Sequence, residues 1–302
     1  MRIASMLSSA TEIVYELGLQ HHLVAISHEC DYPADALRLP RASRVRFDPA
    51  GLTSGEIDAE VRRCMMEFGS VYEVHVDALR DARPDLILTQ AVCEVCAVPT
   101  GSVNEVVEAL PSRPTVLSLD AHTLEEILHT VAQVAEAAGD ARRGEETVAR
   151  LRGRMDRVAA AVAGRPRRRT LALEWLDPPF APGHWIPEMI ERAGAESLLG
   201  AAGGHSVEIP WAQAEGLDPD HLLLIPCGYD LEQSRADAER AREKLRALAP
   251  GALAAGRAAI GHSAFFSRSG PRVVGGIEAL AAWLHPGVLP ADALDGRLER
   301  WP

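Results

Sequence analysis

The chain has 302 residues, of which 47% are apolar and 25% charged, so it can bury one or two ordinary cores and is too apolar to be disordered. Lys and Arg number 31 against 43 Asp and Glu, a net charge of −12, and the one basic cluster (Arg165, Arg167, Arg168, Arg169) follows a predicted helix end, where cations complement the dipole; nucleic acid is excluded as a partner. No run approaches the ~18 consecutive apolar residues of a membrane span, so no membrane insertion is expected.

Met1-Arg2 runs straight into Ile3-Ala4-Ser5-Met6-Leu7, with no basic region, apolar run or small-residue cleavage site of a secretory leader. Five cysteines, an odd number with two in a Cys-x-x-Cys, do not read as a secreted disulfide framework. Both features predict a cytoplasmic protein.

Residues 2–7 form an apolar, β-branched run ending at Ser8-Ser9, and Ser9-Ala10-Thr11-Glu12 fits a capping box that opens a helix to residue 17. Residues 23–27 read as a second strand, running out into His28-Glu29-Cys30-Asp31-Tyr32-Pro33, where proline ends regular structure. Residues 40–54 look irregular, and helices follow at 54–68 and 76–82. The continuous apolar run 85–89 predicts a parallel strand covered on both faces, which delivers Gln90 and then Val92-Cys93-Glu94-Val95-Cys96. A helix at 103–110, a strand at 115–119 and a helix at 123–138 complete the first half.

Val148, Leu151, Met155, Val158 and Val162 then recur at steps of three and four, predicting a long helix over 140–163 with one apolar face, begun after Gly139 and stopped by Gly164 and Pro166. At 1.5 Å per residue it would span roughly 35 Å, enough to join two lobes. Beyond it the plan repeats: a strand at 170–175, a helix at 186–193, a strand near 222–227, a charged helix at 231–247, a strand at 258–261 and a helix at 273–284. Pro-Asp followed by an apolar run occurs once in each half, at Pro84-Asp85 and at Pro219-Asp220. Alternating strands and helices define an α/β protein: two lobes, 1–138 and 167–302, each with a mostly parallel sheet flanked by helices, joined by one long α-helix at 139–166.

In such sheets ligands bind at the carboxyl ends of strands. Those ends carry Ser8, Ser9, His28, Cys30, Tyr32, Gln90, Cys93 and Cys96 in the first half, and Trp175, Phe180, Trp185, Tyr229 and Phe266 in the second. The aromatic residues read either as packing anchors or as a wall for a large, flat, partly apolar ligand. His28, flanked by Glu29 and Asp31, reads as a base or metal ligand or simply as the polar close of a strand-end loop. A lone Cys-x-x-Cys supplies two ligands where structural zinc needs four, so Cys93 and Cys96 read as buried or ligand-contacting thiols, as part of a metal site, or as a redox pair. No Gly-x-Gly-x-x-Gly, phosphate loop or Gly-x-Ser-x-Gly elbow is present. No catalytic set and no metal site is assigned, and no cofactor is required.

Residues 3–12, Val24-Ala25-Ile26-Ser27 with Asp31-Tyr32-Pro33, and the Arg83-Pro84-Asp85-Leu86-Ile87-Leu88 segment resemble the periplasmic binding proteins that serve iron-siderophore, haem and cobalamin importers. The likeness covers nearly the whole chain. Its cobalamin-binding branch includes proteins sharing Ser27-His28-Glu29-Cys30-Asp31-Tyr32-Pro33 and Cys93-Glu94-Val95-Cys96-Ala97-Val98. The resemblance implies two lobes on a rigid linking helix and a cobalamin-like corrinoid, or another planar metal-containing ligand, in the cleft between them. It also implies a transporter, or an enzyme that accepts the ligand, as partner. The rival reading is a metal- or thiol-dependent enzyme using His28, Cys30, Cys93, Glu94 and Cys96.

Overall fold

Ile3–Ser5 forms the first strand (β1) and Ser8–Glu16 the first helix (α1), followed by Leu23–Ala25 (β2), Ser43–Val45 (β3), Ser54–Phe68 (α2), Tyr72–Val74 (β4), Val76–Ala82 (α3), Leu86–Thr89 (β5), Thr115–Ser118 (β6) and Leu124–Ala137 (α4). The structure, a computed structural model, describes residues 1–91, 106–108 and 110–302. Its contacts divide the chain into two units. Met1–Leu52, Glu56–Ala121 and Glu125–Ala149 form the first, and Thr53–Gly55, His122–Leu124 and Arg150–Pro302 form the second.

In the first unit the sheet order is β2-β1-β5-β6, all parallel. All four residues of β5 are buried, as its unbroken apolar run requires. Met6, Cys64, Leu79 and Ile87 meet in the core beside it. The stretch predicted to be irregular contains β3, which pairs antiparallel with β4, Ser43 opposite Val74. The predicted capping box at Ser9 does not form. The helix begins two residues earlier than the pattern suggests, so α1 starts at Ser8 and the extended Leu7 takes the cap position with no side-chain cap.

Ala141–Val162 is one continuous helix (α5). Leu151, Met155, Val158 and Val162 are buried on one face while the arginines and acids between them stay toward water, which is the predicted stripe. The boundary between the two units falls inside this helix, after Ala149.

The second unit continues with Arg168–Leu173 (β7), Trp175–Leu176 (β8), Pro179–Ala181 (β9), Ile186–Arg192 (α6), Ala195–Ser197 (β10), Val207–Glu208 (β11), Trp211–Ala214 (α7), His221–Leu224 (β12), Leu231–Arg240 (α8), Arg242–Leu248 (α9), Pro250–Ala254 (α10), Ala258–Gly261 (β13), Ser263–Phe266 (α11), Val273–Leu284 (α12) and Leu298–Trp301 (β14). Its main sheet has the order β10-β7-β12-β13-β14, parallel except for the edge strand β14. A small antiparallel sheet, β11-β9-β8, projects from the end of β7. The single helix predicted over 231–247 is two, α8 and α9, parted at Ala241. Each unit is therefore a mostly parallel sheet flanked by helices, the α/β class that the sequence predicts.

Candidate functional site

Parallel pairing of β1, β2 and β5 brings Ser8, Ser9, the 27–32 loop and Gln90 to one edge of the first sheet. His28 is fixed there by two contacts: Nδ1 lies 2.8 Å from the Ser43 hydroxyl, and its ring stacks obliquely on Tyr72 with centroids 5.0 Å apart. Its Nε2 is 3.2 Å from a Glu29 carboxylate oxygen, an ion-pair distance without hydrogen-bond alignment. Cys30 is 1% exposed, and its sulfur lies 3.1 Å from the Thr11 hydroxyl, which in turn donates to Ser5 Oγ. Ser9 and Gln90 are buried, Ser8 is half-buried, and Tyr32 stands half in water at 50% exposure. Cys93, Glu94 and Cys96 lie outside the described residues, so the idea that they share a site with Cys30 goes with them.

At the matching edge of the second sheet, β7 delivers Trp175, β12 delivers Tyr229 and β13 delivers α11. The rings of Trp175 and Tyr229 pack 5.1 Å apart. Tyr229 is 7% exposed, and its hydroxyl has no hydrogen-bond partner among the described residues. Burial pushes that phenol up to about 12, with the Asp237 carboxylate adding to the effect and Arg240 opposing it. Phe180 is half-buried in β9. Trp185 donates its indole N–H to the Phe266 carbonyl at 2.6 Å, both side chains being buried. Phe266 has no exposed surface at all, and a side chain on Gly261 would collide with its ring; it packs as an interior anchor.

Sequence reading assigns no metal site, yet the second unit brings three histidines together. His122, His184 and His205 each present a ring nitrogen, all within 4.8 Å of one another, and His122 Nδ1 and His184 Nδ1 are 3.3 Å apart. Spacings of 62 and 21 residues match no ligand motif, so only the fold could reveal them. Two glycines build the junction. A Cβ on Gly183 would collide with the backbone at Ser206, and one on Gly200 with the Pro182 carbonyl, so only glycine lets these two loops press together. The His184 amide donates to the Gly204 carbonyl and the Gly203 amide to the His184 carbonyl, while the Glu174 carboxylate accepts from Ser206 Oγ. His122 enters on a segment held by Leu124 N–H donating to Glu188 Oε2 at 2.7 Å. His184 sits at φ 50°, a left-handed conformation uncommon outside glycine. Burial, and then the neighbouring His122 and His205, push its pKa down to about 4, so its imidazole is neutral at pH 7.

Both α/β units thus carry polar or aromatic side chains at the carboxyl ends of parallel strands, where such sheets bind ligands. A sequence profile of the family described as "Periplasmic binding protein" matches residues 3–251, and the chain belongs to that family. Solved structures with the same fold include the periplasmic vitamin B12 binding protein of Vibrio cholerae (19% identity, 94% of this chain and 96% of that one, TM-score 0.69). A periplasmic heme binding protein from Pseudomonas aeruginosa is similar at 20% identity (96% and 94%, TM-score 0.69). So is a protein of the ABC-type Fe3+-hydroxamate transport system from Saccharomonospora viridis, at 19% identity (94% and 93%, TM-score 0.65). No curated protein matches by sequence. The family consists of binding proteins, and the enzyme alternative finds no support in it. The expectation of a cytoplasmic protein is overturned: family and neighbours are periplasmic. An odd number of cysteines argues against a full disulfide framework but not for a reducing compartment, which is why that count pointed the wrong way.

Proposed function

We propose that this protein is the ligand-capturing component of an ABC importer, working outside the cytoplasmic membrane and holding a corrinoid or a similar metal-containing macrocycle. The observation that carries the reading is the family match over residues 3–251, supported by fold neighbours that bind vitamin B12 or heme or belong to an Fe3+-hydroxamate transport system. The aromatic pair Trp175–Tyr229 suits a flat ligand, because rigid rings give contact area with little loss of side-chain freedom. A buried, unpartnered hydroxyl such as that of Tyr229 costs about 1–3 kcal/mol, which an acceptor on a ligand or a water would relieve. Trp175, Phe180 and Tyr229, all in the second unit, are the residues on which the reading places contact.

Calorimetric titration with hydroxocobalamin, followed by visible spectroscopy, tests this. Saturable one-to-one binding with an altered corrin spectrum is expected, and Trp175→Ala should weaken it at least about tenfold, the loss of one well-packed aromatic contact. Absence of heat with hydroxocobalamin, hemin and a ferric hydroxamate alike would refute it.

A further inference from the structure

We infer that His122, His184 and His205 form a binding site for one divalent transition-metal cation of the zinc class, held by three imidazoles with a fourth position open to solvent or to an exchangeable ligand. Imidazole is a preferred donor for such borderline cations, and three histidines with one free position is an established coordination pattern for zinc. Zinc–nitrogen bonds of 2.0–2.1 Å arranged tetrahedrally put neighbouring nitrogens about 3.3–3.4 Å apart. The His122 and His184 nitrogens already stand at 3.3 Å. The His205 nitrogen lies within 4.8 Å of both, on an exposed side chain with rotamer freedom to adjust towards them.

The arrangement is built and held. Gly183 and Gly200 let the 182–184 and 200–206 loops make backbone contact, Glu174 ties Ser206, and Glu188 holds the 122–124 segment through the Leu124 amide. All three segments belong to the second unit, including His122–Leu124.

The same donors could serve a metal already inside a macrocycle, and geometry separates the two sources. A corrin or porphyrin fills four equatorial positions and leaves two axial ones on opposite faces, so at most one of three convergent nitrogens reaches its metal from a given side. Three nitrogens within 4.8 Å therefore point to a bare cation.

The test uses full-length protein stripped with a chelator and titrated with ZnSO4 by calorimetry, then with Co2+ by absorption. One cation per chain is expected, with visible bands of tetrahedral Co2+ and no intense near-ultraviolet thiolate charge transfer. The exposed His205→Ala should weaken zinc at least about tenfold without disturbing the fold, as near-ultraviolet circular dichroism would verify, and the His122→Ala/His184→Ala double variant should abolish binding. Hydroxocobalamin binding, measured on the same variants, should stay at the wild-type result. Failure of zinc to bind, binding with thiolate bands that survives the histidine changes, or loss of hydroxocobalamin rather than zinc in the variants would each overturn the inference.

Discussion

At the scale of single residues, His221 makes an acid-sensitivity prediction. It is 5% exposed at the start of β12, edge-on to Trp283 at 4.9 Å, and its Nδ1 has no hydrogen-bond partner among the described residues. Burial first, then Arg257 and Arg168, push its pKa from 6.5 down to about 4, with His285 adding slightly and Asp220 opposing. The unfolded chain thus takes up the proton before the folded one does. Stability is whole above pH 6.5 and falls as pH drops towards about 4, by about 3 kcal/mol for this group alone. Urea unfolding at pH 7.5 and pH 4.5 should show the loss, and His221→Gln should show a smaller one; an unchanged pH slope in that variant would disprove the assignment. Residue-level reading of the site was uneven for a physical reason. Which polar side chains lie at strand ends is local information, so His28, Cys30, Trp175 and Tyr229 could be picked out. Whether a side chain faces outward or packs inward depends on distant partners, which is why Phe266 looked like Phe180 in sequence and sits fully buried, and why three histidines far apart in sequence escaped notice.

Among elements, the long, strongly periodic helices were readable almost to the residue: α2 and α12 stand where their patterns put them, and α5 differs by one residue at each end; the shorter α3 and β13 also match, each bounded by proline, glycine or a polar turn. What sequence missed are strands of two to four residues, β3, β4, β8, β9, β10, β11 and β14, which are too short to show a period of two and owe their pairing to neighbours. Caps were misread in the same way. The Ser9 motif lacks a helix start in register, whereas Asp230 and Gln233 form a true capping box on α8, Asp230 Oδ1 accepting from the Gln233 amide at 2.8 Å and Gln233 Oε1 accepting from the Asp230 amide at 3.1 Å. Asp230→Ala should cost about 1 kcal/mol, read from the urea midpoint, because it leaves a first-turn amide without its acceptor. By contrast Gly183→Ala should cost about 1–3 kcal/mol, since the added methyl has no room against the Ser206 backbone. A Gly183→Ala protein as stable as wild type would show that the two loops do not depend on that close approach.

For the molecule as a whole, the excess of acids sets how copies meet. Net charge is −12 at pH 7 and vanishes near pH 5.4, so light scattering should rise as buffer pH approaches that value and fall again on either side. The two units also differ in how they are written along the chain. The first is interrupted twice, because Thr53–Gly55 and His122–Leu124 are counted with the second, and the Ser54 hydroxyl donates to Asp237 there at 2.7 Å. The second unit is thus not a contiguous gene segment, although the boundary within the long helix invites a cut there. Dividing the gene after Ala149 would separate His122 from His184 and His205, and Ser54 from Asp237. The histidine cluster consequently cannot be passed on, borrowed or duplicated by recombination of the C-terminal half alone; it travels only with a segment that reaches back across the long helix to His122.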